Sequence, residues 1–162
     1  MKASSHLDPE GRLRMVDVGA KAATDRRAVA EGFVVVGRGL LRSLKAGAVP
    51  KGNALEAARI AGIMAAKETH RLIPLCHPLA LDHVAVDFEL FGDRVRITAA
   101  AAAHGRTGIE MEALTAVAVA ALTLYDMLKS LSRGITITDV RLVEKSGGKS
   151  GNWKAKFAEG KS

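Results

Sequence analysis

The sequence predicts an α+β domain in which a four-stranded antiparallel sheet is packed with helices. Three observations lead there. Apolar residues recur every second position in some segments and every third or fourth in others, so strands and helices are both present. Turn signals separate these segments at short intervals, and no repeat or linker interrupts them. With 162 residues, of which 48% are hydrophobic, one core accounts for the chain.

Residues 1–14 are polar, with Pro9 and Gly11, and read as an arm that is mobile until something packs on it. From Arg27 to Val36 the β-branched run reads as a strand that Gly32 weakens. Leu40, Leu41 and Leu44 then fall at helical spacing, with Gly47 closing the helix. Asn53 caps a second helix with Glu56 three residues later, and Ala57, Ile60, Ala61 and Met64 form its apolar stripe. Next comes a hairpin: Val84, Val86, Phe88 and Leu90 alternate with polar or small residues, and Phe91-Gly92-Asp93 turns the chain into Val95 and Ile97. Alanines 99–103 conflict with that second arm, because Ala favours helix over strand. A long helix spans Ile109–Leu131, and Gly134 precedes a last strand, 135–144, whose phase switch from Ile137 to Val140 predicts a bulge near Asp139. Strand, two helices, hairpin, helix and strand make the ferredoxin-like, split βαβ order. The domain is thus 15–151, with a tail at 152–162.

Within the long helix, ten of the twelve residues from Ala113 to Leu124 are apolar, so it is hydrophobic nearly all round. The sheet can cover one side. The other is expected to meet another copy of the chain, making a homo-oligomer.

Composition narrows the function. The formal charge of +7 suits phosphorylated small molecules, nucleic acid or an acidic membrane surface. Basic residues are spread along the chain with no run longer than Arg26-Arg27, and only 4% of residues are aromatic, which disfavours nucleic acid as a partner. The single cysteine, Cys76, excludes an internal disulfide, and no apolar leader or uninterrupted apolar span is seen; a cytoplasmic protein with no membrane partner is expected.

Several residues could carry chemistry. LIPLCHPL holds Leu75, Cys76 and His77 between Pro74 and Pro78, which stiffens the backbone around a side chain that titrates near neutral pH. No three metal ligands fall at a recognised spacing, so no metal site is expected. Thr107 and Glu110 fit a capping box, which leaves Glu112 without a structural explanation. Asp126 and Lys129 share a helical face as an ion pair. Glu112 and Asp126 lie about 21 Å apart along the helix, so a pocket using both needs two subunits. KSGGKSG offers Lys145 and Lys149 on a flexible, glycine-rich backbone suited to phosphate, or else a solvated tail; it is not a P-loop.

In order, the segments MVDVGAK, KGNALEAARIAG, LIPLCHPL, TGIEMEALTAVAVAALTLYDMLK and EKSGGKSG resemble the cyclic pyranopterin monophosphate synthase family, molybdenum cofactor biosynthesis protein C. The resemblance implies a ferredoxin-like homohexamer with active sites at subunit interfaces. It implies a lyase that converts 3′,8-cyclo-7,8-dihydroguanosine 5′-triphosphate into cyclic pyranopterin monophosphate and pyrophosphate. Asp126, Lys129 and Lys51 take catalytic positions by this likeness, with Lys51 assisting from the other subunit. Leu75, Cys76, His77, Met111 and Glu112 take substrate-binding positions, and Arg26, Lys145 and Lys149 would hold the triphosphate. No cofactor is implied, and whether Mg²⁺ accompanies the triphosphate stays open. A metal-dependent nucleotide hydrolase and a basic nucleic-acid-binding module are the alternatives.

Overall fold

The computed structural model describes residues 6–149 and 151–156. Its elements are β1 (Thr24–Val35), α1 (Arg38–Lys45), α2 (Ala54–Lys67), α3 (Thr69–Leu72), β2 (His83–Phe91), β3 (Arg94–Gly105), α4 (Glu110–Leu128), β4 (Thr136–Ser146) and β5 (Trp153–Lys154). The sheet is antiparallel in the order β2-β3-β1-β4-β5. Its first four strands have the ferredoxin-like order, and β5 adds a short fifth at the edge, inside what the sequence presented as a tail.

The core lies between this sheet and α4. Ala28, Ala30 and Val34 of β1 and Val95, Ile97, Ala99, Ala101 and Ala103 of β3 are buried on one face. Against them lie Ala113, Val117, Leu124 and Leu128 of α4, and each such leucine contributes about 1.5–3 kcal/mol by leaving water. The alanine run of β3 is strand throughout, because it pairs with β1 on one side and β2 on the other. Ladder hydrogen bonds and a close helix outweigh the helical preference of Ala.

Gly32 has a constructive role. A Cβ there would stand 2.8 Å from Cγ1 of Val117 and 3.1 Å from Cγ2 of Val140, so its absence lets α4 settle onto β1. The β1–β4 register shifts between Glu31 and Phe33, opposite Asp139, whose φ is +52°: the bulge predicted at that residue.

Helix α2 differs from expectation in the face it buries. Ala54, Ala58, Gly62, Ala65 and Ala66 point inward, while Ile60 and Met64 are 58% and 60% exposed. Small residues win the inner face because α2 lies tightly on α4: a Cβ on Gly62 would approach the Ala116 carbonyl to 2.9 Å. Thus α2 covers part of the α4 perimeter that the sequence left for a second copy. Helix α4 has the length and hydropathy to cross a membrane, but half of it is buried in this core.

On the other face of the sheet, the carboxylate of Glu31 is held by Arg96 at 2.7 Å and Arg141 at 2.8 Å, one from each flanking strand. Two guanidinium forks compensate the desolvation of a nearly buried charge.

Candidate active site

The register of β1 brings the chemistry-bearing segments to one end of the sheet. Thr24 opens β1 opposite Gly105, where β3 ends, and Arg27 lies opposite Ser146, where β4 ends. The N-terminus of α4 and the proline-flanked loop stand at the same end. Together they enclose a cavity of about 860 Å³, lined by Arg26, Leu75, Cys76, His77, Met111, Glu112 and Lys149 among others. Seven of the eleven residues singled out in the sequence therefore share one wall system of a size that suits a nucleotide-like ligand.

Within it, His77 Nε2 donates to the Val16 carbonyl at 2.9 Å. A carbonyl only accepts, so Nε2 carries the proton of this bond. Glu112, 4% exposed, stands in the first turn of α4. Burial pushes its carboxyl above the ordinary range, and the neighbouring Glu110 adds to the rise. Burial also raises the Cys76 thiol, reinforced by the Glu112 charge.

Glu110 does not form the expected capping box. The helix begins at Glu110 after Ile109, with no side-chain cap, and the Glu110 carboxylate accepts from Lys145 Nζ at 2.6 Å. Burial opposes its ionisation, yet the Lys145 hydrogen bond and the Lys145 and Arg26 charges outweigh that and lower its pKa. An ammonium from β4 is a stronger donor to this carboxylate than the main-chain N–H of Thr107 that a capping box would offer it. Lys145 consequently lies in a small cleft beside the cavity, with Arg26, Glu110 and Gly147.

Lys51, Asp126 and Lys129 lie elsewhere, around the C-terminus of α4. Asp126 accepts from Lys129 at 2.6 Å and from Lys51 at 3.3 Å, and Lys51 also donates to the Asp126 main-chain carbonyl at 2.8 Å. This corrects the assignment of Lys51 to the other subunit relative to Asp126. Both belong to one cluster in one chain, because the α1–α2 connection passes the end of α4 and its lysine caps an otherwise open carbonyl. Hydrogen bonds from Lys129 and then Lys51 lower the Asp126 carboxyl, and the same carboxylate raises Lys129. All three side chains are substantially exposed.

A family model described as the MoaC family matches residues 15–148. The chain belongs to the MoaC family. It is similar to proteins named cyclic pyranopterin monophosphate synthase from three bacteria. That of Novosphingobium aromaticivorans is 57% identical over 155 residues, covering 96% of this chain and 99% of that protein. That of Desulfatibacillum aliphaticivorans is 56% identical, covering 92% and 95%. That of Parvibaculum lavamentivorans is 53% identical, covering 96% and 98%.

The cavity also includes residues that spacing alone did not single out. Val16, Val18 and Lys21 form a wall from the N-terminal segment, and Arg106 adds a cation beside Thr107. The first three belong to MVDVGAK, where the Val16 carbonyl receives the His77 hydrogen bond, a main-chain role that residue type does not signal.

Proposed function

We propose that this chain is a cyclic pyranopterin monophosphate synthase of molybdenum cofactor biosynthesis. It converts 3′,8-cyclo-7,8-dihydroguanosine 5′-triphosphate into cyclic pyranopterin monophosphate and pyrophosphate. The observation that carries the reading is one cavity joining Leu75-Cys76-His77 to Met111-Glu112 beneath the cations Arg26 and Lys149, in a chain more than half identical to enzymes of that name.

The rearrangement opens a purine-derived ring, closes a pyran ring and lets a hydroxyl displace pyrophosphate. It needs proton donors and acceptors beside cations that hold phosphate. In this reading Glu112 and the Cys76–His77 loop hold the pterin end, while Arg26, Lys149 and Lys145 take the phosphates. Lys129 is the acid: Asp126 keeps its ammonium charged until substrate draws the proton away. Lys51 shares Asp126 and assists.

The two groups of residues lie at opposite ends of α4, so the reading includes two copies of the chain per site. One contributes the cavity and the other the Lys51–Asp126–Lys129 cluster. Exposed Ile60, Met64 and Leu122 on the two long helices support burial against further copies, with a cytoplasmic homohexamer as the assembly. The proposal includes no resident cofactor; turnover after chelation, with and without added Mg²⁺, tests that part. The reaction itself is tested by incubating the protein with the cyclised triphosphate and detecting pyrophosphate and the pterin together. Release of neither refutes the reading.

A further inference from the structure

The glycine-rich segment is a hairpin. Strand β4 returns through β5, with Lys145 opposite Trp153 and Glu144 opposite Lys154, and Ala155 N–H donates to the Val143 carbonyl at 2.8 Å. Gly151 N–H donates to the Gly148 carbonyl at 3.1 Å and closes the tip. Both Gly147 and Gly148 are left-handed, with φ of +93° and +71°.

The two glycines face different obstacles. A Cβ on Gly147 would run into the main-chain carbonyl of Asp25, which the sheet holds in place. A Cβ on Gly148 would occupy the space filled by the Arg26 guanidinium, the free end of a flexible side chain. So a side chain at 147 lifts the hairpin from β1, whereas one at 148 displaces a charge. That guanidinium is also held by the Gly105 carbonyl, which accepts from Nε at 3.3 Å. Arg26, Gly148 and Lys149 all border the large cavity.

We propose that Gly148 is a positioning residue whose missing side chain is the seat of the Arg26 guanidinium, aiming it at the anionic end of the substrate. This rests on the functional reading above. The glycine thus acts on phosphate affinity through another residue.

Inorganic pyrophosphate is the probe, titrated calorimetrically into the full-length protein, its Gly148→Ala and Arg26→Ala variants and the double variant. Each single variant is expected to bind about ten- to a hundredfold more weakly, since Arg26 supplies a charge-assisted hydrogen bond. The double variant should bind like Arg26→Ala alone. Turnover of the cyclised triphosphate should show KM rising more than kcat in Gly148→Ala. Wild-type affinity in Gly148→Ala overturns the proposal, as do independent, multiplying losses in the double variant. If Gly148→Ala does not fold, Gly148→Asn replaces it, because Asn tolerates the left-handed region; wild-type affinity there overturns the seat equally. If the wild type turns over the triphosphate while Arg26→Ala binds pyrophosphate as tightly as the wild type does, the seat alone is refuted. One that neither binds nor turns over refutes the functional reading, and the seat with it.

Discussion

Asp126 and Lys129 form an exposed ion pair, and such pairs contribute little to stability. Their substitution therefore separates chemistry from folding. Lys129→Ala and Asp126→Ala are each expected to lower kcat by about 10²–10⁴-fold, the range for a lost proton-transfer group, with unchanged circular dichroism and melting temperature. Near-normal turnover in either variant contradicts the role given to Lys129. Glu112 is the opposite case, a charge that weakens the fold. Burial raises its folded-state pKa above the unfolded value, so the stability it offers is complete below about pH 4.3 and lost as pH rises through the folded value. Glu112→Gln should then melt above the wild type at about pH 7, with the gap closing towards pH 4, while turnover falls. A variant that melts lower at neutral pH contradicts the buried-charge account. Much of this arrangement was legible in residue type and spacing: the Asp126–Lys129 pair, and the proline-flanked loop and Glu112 that share the cavity. Glu110 was not, because Thr-x-x-Glu is a capping signature, and only the fold brings Lys145 within reach of that carboxylate.

Elements were legible where periodicity was strong, and misjudged where partners decide. Asn53 caps α2 as read, its side chain accepting from Glu56 N–H at 3.2 Å. The stripe of α2 was assigned by hydrophobicity, yet the inner face went to the small residues, because close approach to α4 rewards low volume over apolar area. The alanines of β3 are strand for a related reason: a helix presses on a sheet most closely where the side chains are short. The same logic makes Gly32 testable. Gly32→Ala is expected to destabilise by about 1–3 kcal/mol in urea unfolding, as overpacking does. Combining it with Val117→Ala should cost less than the sum of the two changes, since the new methyl fills space the valine vacates. Strict additivity contradicts the contact as the reason for the glycine. β5 had no such signal, since two residues beyond a flexible-looking loop carry no periodicity.

For the whole molecule, the proposed shared site rests on the geometry of α4. About 28 Å of helix separates its ends, with the cavity at the first and the Lys51–Asp126–Lys129 cluster at the last. The sequence made that separation legible through the spacing of Glu112 and Asp126. It did not reveal that Lys51 sits with Asp126, a contact made by residues 75 positions apart. The central claim, that each site takes its cavity from one chain and its lysine–aspartate cluster from another, is tested most directly by mixing inactive variants. Lys129→Ala chains keep an intact cavity and His77→Ala chains keep an intact cluster. Co-expressed and shown by mass spectrometry to form mixed oligomers, they should recover about a quarter of wild-type activity, the share of sites that random pairing leaves whole. A mixture of Lys51→Ala with Asp126→Ala should recover none, because both lesions fall in the same cluster. Mixed oligomers of the first pair that remain as inactive as either parent would contradict the shared site.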